Sequence, residues 1–263
     1  MADKTGCRGE WRRRANALHQ QGVAFVGGRC FGSSFDDSGA VVLLESGHGW
    51  DLQAGTAVIL LFWPRKLWRG VALLAGGGLL LWLALSAGLV PGSVAQRLVS
   101  FQEDLRFGDV RGVPINDTNY AVVERLAHWQ AAIGMAEDDI WWGVGFGNYG
   151  AVYADYALSN WPDALGHAHN YYLNLLAEIG VIGLGAYGLL WTAVFWQTIR
   201  VRSGLTGWER GIALGLLGAW GALTIHHLVD KLYVNNVYVH IGVMFGLLQI
   251  LGMLAKQNSV SEG

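Results

Sequence analysis

Charge is scarce in this chain. Asp, Glu, Lys and Arg make up 14% of its 263 residues, and hydrophobic residues reach 52%. A soluble domain carries roughly 25% charged residues, so the composition excludes an ordinary water-surrounded fold and indicates an integral membrane protein. The net charge of -2 leaves no excess for binding a polyanion, which argues against nucleic acid as a partner. Cysteine is nearly absent. Cys7 and Cys30 match no zinc or redox spacing, and the single bridge they could form does not identify a compartment. A signal peptide's apolar core is missing as well, since Val23 to Val26 is the longest apolar stretch before residue 40.

Long uncharged runs are what the chain does contain. Val71 to Val90, rich in Leu and Gly, is the clearest spanning helix, and Ile179 to Ile199 is a second. Each is long enough to cross about 30 Å of hydrocarbon at about 1.5 Å per residue. Gly211 to Val229 and Asn236 to Ala255 read as two more spans. Leu52 to Trp63 reads as another if the run back through Ala40 to Leu44 joins it, taking Glu45, His48 and Asp51 into the membrane boundary. Gly211, Gly215 and Ala219 recur every fourth position, as in helices that pack closely. The expected fold is all-α, a polytopic membrane helical bundle of about five spans with one large external helical loop at about 91–170. Residues 1–39 form an ill-defined tail or truncation remnant, and 40–263 the membrane domain.

Two short basic loops, Pro64 to Arg69 and Arg200 to Arg210, go to the cytoplasm by the positive-inside rule. The segment from Pro91 to about Asn170 and the turn Asp230 to Asn235 then face outward. Lys256 falls inside, whereas Arg12, Arg13 and Arg14 do not fit the count.

In the external segment, Asn116, Asp117 and Thr118 suit a helix start. After them Val122, Leu126, Trp129 and Ile133 recur at helical spacing, which predicts an amphipathic helix with Arg125 and His128 as neighbours on its other face. Downstream, Gly145 to Gly150 contains a literal Gly-x-Gly-x-x-Gly. No alternation of strands and helices surrounds it and no helical run opens at the third glycine, so a dinucleotide site is rejected in favour of a glycine-bent loop. Trp141, Trp142 and Trp161 near it read as a headgroup belt or an exposed aromatic platform.

The sequence Gly166-His167-Ala168-His169-Asn170 places two imidazoles where a membrane helix begins. Ionisable groups at a bilayer boundary are functional candidates. Metal binding is one reading, with His226, His227, Glu178 or Asp230 completing a site. Helix capping is a second, and Asn170 suits that role. General acid or base catalysis is the third, since an unperturbed imidazole titrates near 6.5. Asn170, Asn174 and Glu178 follow at four-residue intervals, as a stripe that orients a ring or ligand or as a hydrogen-bond seam between helices.

Taken in order, Glu124-Arg125-Leu126-Ala127-His128-Trp129, the turn Gly143-x-Gly145-x-Gly147-Asn148-Tyr149, His-x-His-Asn with Leu173, Leu176, Glu178 and Gly180, and His226-His227-Leu-Val-Asp230 resemble the O-antigen ligase and polymerase superfamily. The resemblance covers roughly residues 55 to 255. It implies a multi-pass enzyme of the bacterial cytoplasmic membrane, acting on its outer face. Such an enzyme transfers a glycan from a polyprenyl pyrophosphate carrier to a hydroxyl of a glycan or lipid-linked acceptor, without cofactor or metal. Carried over, His169 would be the base and His167 its assistant, and Arg125 would bind pyrophosphate. Asp230 and His226 would line the same cavity, supported by Asn170 and Glu178. The chain departs from the family where a Ser-Arg-Gly motif is expected. It has Ser46-Gly47-His48-Gly49-Trp50 there, and fewer spans than relatives carry, which leaves a non-catalytic relative that binds lipid-linked glycan or a membrane partner as the alternative.

Overall fold

The computed structural model describes residues 49–92, 108–116, 119–233 and 236–261, all within the unit Gly47–Gly263. The tail 1–39, both cysteines, the Ala40 to Leu44 run, Ser46, His48, Asp117 and Thr118 lie outside the described residues. Seven helices and no strand occur among the described residues: α1 (Gly49–Phe62), α2 (Leu67–Ser86), α3 (Tyr120–Asp138), α4 (Tyr149–Tyr156), α5 (Tyr171–Ser203), α6 (Gly207–His226) and α7 (Val237–Ser261). The expected all-helical architecture is present.

Three helices, α2, α5 and α7, are long and apolar enough to cross a membrane. α1 has 14 residues and reaches only about 21 Å at 1.5 Å per residue. α6 has 20, but Glu209 and Arg210 sit in its first turns and its middle is buried by protein. It packs against α1, α5 and α7 and forms the centre of the bundle. Trp220 on α6 is fully buried between Trp191 of α5 and Phe245 of α7, with ring centroids 5.4 Å apart in both pairs. Its indole N–H donates to Thr198 Oγ1 at 3.3 Å, so the buried polar group is satisfied.

Small residues do bring α1 and α6 together, on a different stripe from the one expected. Gly211 and Gly215 are exposed with open space around them. The close approach uses Gly55 and Gly218 instead, and a Cβ on Gly55 would lie 2.8 Å from the Gly218 carbonyl oxygen. A four-residue spacing identifies a helix that can be approached closely, without saying which face is approached.

At one end of this bundle, Arg202 donates to the Phe62 and Pro64 carbonyls and Arg210 to the Trp63 carbonyl. The two basic turns therefore meet. α2 begins after extended Lys66, so Leu67, Trp68 and Arg69 belong to its first turn rather than to the loop. Its end is closed by Gly88 at φ 68°, with Gly88 N–H donating to Leu85 O and Leu89 N–H to Ala84 O.

At the opposite end, α3 and α4 pack on the start of α5. The α3 periodicity is helical, as expected, but its buried face is rotated. Val123, Ala127, His128, Trp129, Ala131, Ala132, Met135 and Ala136 are inside, so Trp129 is buried as expected, while Val122, Leu126 and Ile133 are only partly covered. Alanines let α4 and α5 approach closely, so the contact forms on the small residues. The helix starts at Tyr120, and Asn116 and Asn119 exchange two hydrogen bonds, each side-chain oxygen accepting from the other's backbone N–H at 3.1 and 2.8 Å. Trp161 is packed in a small core with Val110, Val123 and Ala127 and is no platform, whereas Trp141 and Trp142 are exposed.

Candidate functional site

The site is built around a broken helix. Gly180 sits inside α5 at φ 63°, ψ -169°, which interrupts the ladder of helical hydrogen bonds. The glycine-rich loop fills the gap. Val144 N–H donates to Ala177 O and Gly145 N–H to Glu178 O, both at 2.9 Å, while Val181 N–H donates back to Ile140 O at 2.8 Å. A Cβ on Gly180 would fall 2.2 Å from Trp141 O, and one on Gly143 2.4 Å from Ala177 O. Gly143, Gly145 and Gly147 all have positive φ, so the loop is glycine-bent as expected. A helix does open there, since α4 starts at Tyr149, which corrects one ground given against a dinucleotide site. A better ground is that the N–H groups of Val144 and Gly145 are spent on α5 carbonyls.

Beyond the break, Asn170, Asn174 and Glu178 are all buried. Asn170 Oδ1 accepts from Leu173 N–H at 3.0 Å and caps α5, so the cap is the asparagine and not an imidazole. Asn174 Oδ1 accepts from Ala168 N–H at 3.1 Å, and Glu178 Oε1 from Tyr149 N–H at 3.2 Å. The stripe is therefore a hydrogen-bond seam, tying the histidine loop and α4 to α5.

This scaffold holds the loop Leu165 to Asn170 in a tight conformation, with φ of 48° at Leu165, 80° at Gly166 and 51° at His169. Left-handed backbone at a non-glycine residue costs on the order of 1 kcal/mol or more. Trp129 of α3 helps hold it by donating its indole N–H to His169 O at 3.1 Å.

Both imidazoles point at one carboxylate oxygen. Asp230 Oδ1 lies 3.1 Å from His167 Nε2 and 3.5 Å from His169 Nδ1, and it also accepts from Lys231 N–H at 2.7 Å. Burial pushes the Asp230 carboxyl up, but the bonds from His167, His169 and Lys231 outweigh it and hold the group well below the usual carboxylate range. His167 Nδ1 faces the Leu165 carbonyl at 3.1 Å, so both of its contacts are hydrogen bonds only when each ring nitrogen carries a proton. With His169 Nδ1–H directed to Asp230, its Nε2 is left with a lone pair, and that atom is buried without a hydrogen-bond partner among the described residues. The ligand atoms of His167, His169 and Asp230 lie within 4.8 Å of one another and could hold one metal ion. The hydrogen bonds just described satisfy the same atoms by another route.

The remaining expected residues are placed differently. His226, expected beside Asp230, turns its Nδ1 to Asp51 Oδ2 of α1 at 2.9 Å and joins α6 to α1. Arg125 is half-buried and makes no hydrogen bond or ion pair among the described residues. It stands one helical turn from His128 and Trp129, the two α3 residues that touch His169. His128 is not on the outer face with Arg125. Only 1% exposed, it stacks on Tyr153 at 4.9 Å and meets His169 edge-on at 5.4 Å. Asp51, His128, Trp129 and Tyr149 were missed as site residues. For His128 the signal was available, because a stripe of alanines beside it marks the packed face.

No curated protein matches the chain. The family model for O-antigen ligase matches residues 38–188, more than half of the chain, including Arg125, the His-x-His-Asn loop and the glycine turn. By that match, joined to its all-helical fold and its spanning helices, the chain belongs to the O-antigen ligase family.

Proposed function

We propose that residues 40–263 form a membrane glycosyltransferase domain that moves a glycan from a polyprenyl pyrophosphate carrier to an acceptor hydroxyl, with residues 1–39 as a separate tail. The observation that carries this reading is the buried, unpartnered Nε2 of His169, whose other ring nitrogen is directed to Asp230. That is the arrangement of an oriented general base. His169 Nε2 takes the proton of the acceptor hydroxyl, whose oxygen forms a bond to the anomeric carbon. The bond from that carbon to the carrier's diphosphate breaks, and polyprenyl pyrophosphate leaves. Arg125, without a hydrogen bond or ion pair among the described residues and one helical turn from the two α3 residues that touch His169, binds the diphosphate and steadies its departing charge. His167 assists through its bond to Asp230, the carboxylate that orients His169.

An apolar groove of about 430 Å³ between α5 and α6, lined by Tyr172, Tyr187, Trp191, Phe195 and Trp196, suits an isoprenoid chain. The basic turns sit at the opposite end from the histidines, so the positive-inside rule supports a site facing outward from the bacterial cytoplasmic membrane. The test is transfer from a polyprenyl-linked glycan with His169→Ala and Arg125→Ala. Losses of at least about a hundredfold are expected for each, and undiminished transfer in both would sink the assignment. Replacement of the family's Ser-Arg-Gly by Ser46-Gly47-His48 favours a second reading, a non-catalytic relative that binds lipid-linked glycan. Binding of that ligand by the unaltered chain without turnover would establish it.

A further inference from the structure

His128 is buried, titratable and unused by the mechanism above. Its surroundings fix its chemical state. His128 Nδ1 lies 3.1 Å from the Tyr149 hydroxyl, and that hydroxyl lies 3.3 Å from the carbonyl oxygen of His128 itself. A tyrosine hydroxyl has one proton to give. If Tyr149 donates it to the carbonyl, it can only accept from the ring, so both contacts are satisfied when Nδ1 carries the proton and Nε2 does not. Tyr153, stacked on the same imidazole, donates its own hydroxyl proton to Trp161 O at 3.0 Å and does not compete.

The neighbours keep this ring uncharged. Facing it are Tyr149 and Tyr153 of α4 and His169 of the loop, with His167 and Asp230 beyond. Glu178 of α5 reaches the far side of Tyr149, and Glu124 and Arg125 lie within a turn on α3. Burial, followed by the charges of His169 and His167, brings the His128 pKa down to about 4. Burial also pushes the Tyr149 hydroxyl well above its ordinary value, so it stays a donor.

We propose that His128 is a positioning residue for glycan transfer, a neutral imidazole locked by Tyr149 in its Nδ1-protonated form, against which His169 is held so that Nε2 stays directed at the acceptor hydroxyl. This rests on the role of His169 given above. Two successive α3 residues share the task, His128 bracing the ring of His169 and Trp129 its backbone carbonyl. A neutral brace matters because His169 becomes a cation when it takes the proton. A charged imidazole in the same place would oppose that step.

The test uses the full chain in lipid nanodiscs with ¹⁵N-labelled histidine. The His128 resonances should report one neutral tautomer, protonated at Nδ1, from pH 8 to pH 5. Tyr149→Phe keeps the packed ring but removes the lock, so both tautomers should appear. In the transfer assay the same variant should lower kcat about tenfold with KM for the donor unchanged, and move the acid limb of the pH profile. His128→Asn, whose amide nitrogen can replace Nδ1 toward Tyr149, should retain more activity than His128→Leu. A His128 signal that titrates together with His167 and His169 would overturn the proposal, as would an unchanged tautomer or unchanged kcat in Tyr149→Phe. Full transfer by His169→Ala would remove the base assignment and the positioning role with it. Failure confined to Tyr149→Phe would remove the positioning role alone.

Discussion

The two ends of this molecule are stabilised by different physics. In the bundle, α1, α6, α5 and α7 meet through glycines, leucines and stacked aromatics, and large apolar side chains such as Leu80, Trp82 and Leu189 are exposed on its outside. Around α3, α4 and the start of α5, two small apolar cores are joined by single hydrogen bonds between buried polar groups and backbone, with two helices and two loops sharing one break at Gly180. Packing of the first kind is redundant, because many weak contacts share the work. The second kind is not, since each buried polar group left unpaired costs about 1–3 kcal/mol. The contrast predicts that the histidine end is far more sensitive to small changes than the bundle.

The sharpest way to break the contrast is to compare two glycines on one helix. Gly180→Ala places a methyl group against Trp141 backbone at a positive φ and should cost at least about 3 kcal/mol. Gly185→Ala, where nothing lies within 4 Å, should be neutral or slightly stabilising. Thermal unfolding in detergent and protease sensitivity of the His-x-His loop measure both, and equal effects at the two positions would remove the distinction.

Next in size is an acid sensitivity confined to the histidine end. His128 has a folded pKa of about 4 and an unfolded value near 6.5, so the unfolded chain binds the extra proton as pH falls through that window. Stability should therefore fall from about pH 6.5 to pH 4, by about 3 kcal/mol at most. Burial holds His227 down to about 4 as well, so His128→Phe should reduce the slope in that window by about half. A variant with the same acid slope as the parent would show that the loss arises elsewhere.

The smallest effects belong to the bundle. A Cβ at Gly218 would meet the flexible end of Ile59, 2.6 Å from its Cδ1, so Gly218→Ala should cost about 1–2 kcal/mol as that side chain yields. Gly215→Ala, in open space, should change stability by less than about 0.5 kcal/mol. Unfolding midpoints compared side by side decide this. A larger loss at Gly215 would put a partner on the exposed stripe.

Helices were legible because apolar composition and helical spacing are local properties. α5 and α7 cover the runs Ile179 to Ile199 and Val237 to Ala255, but α5 begins eight residues earlier, at the Asn170 cap, and α7 continues six residues past Ala255. The break in α5 was not legible. Gly180 lies within a pattern that reads as continuous helix, and only the loop at Ile140 to Gly145, distant in sequence, takes up the released hydrogen bonds. His167, His169 and Asp230 were all named, yet periodicity could not say that the two rings share one oxygen, or that His226 turns instead to Asp51. The misplacement of His128 has a plain cause. Bulky residues were taken to mark the buried face of α3, whereas its closest neighbours pack on alanine.

One carboxylate oxygen joins side chains from the two ends of a single helical hairpin, α5 and α6. His167 and His169 precede α5, and Asp230 follows α6, so the chain must run the length of α5 and return along α6 before the third member of the cluster arrives. During synthesis the histidine loop is thus exposed for the time taken to make and insert two further helices, without its aspartate. The cluster assembles late, and a chain stalled before residue 230 would lack the carboxylate that both imidazoles face. Completion of the cluster is thereby tied to completed insertion of α5 and α6.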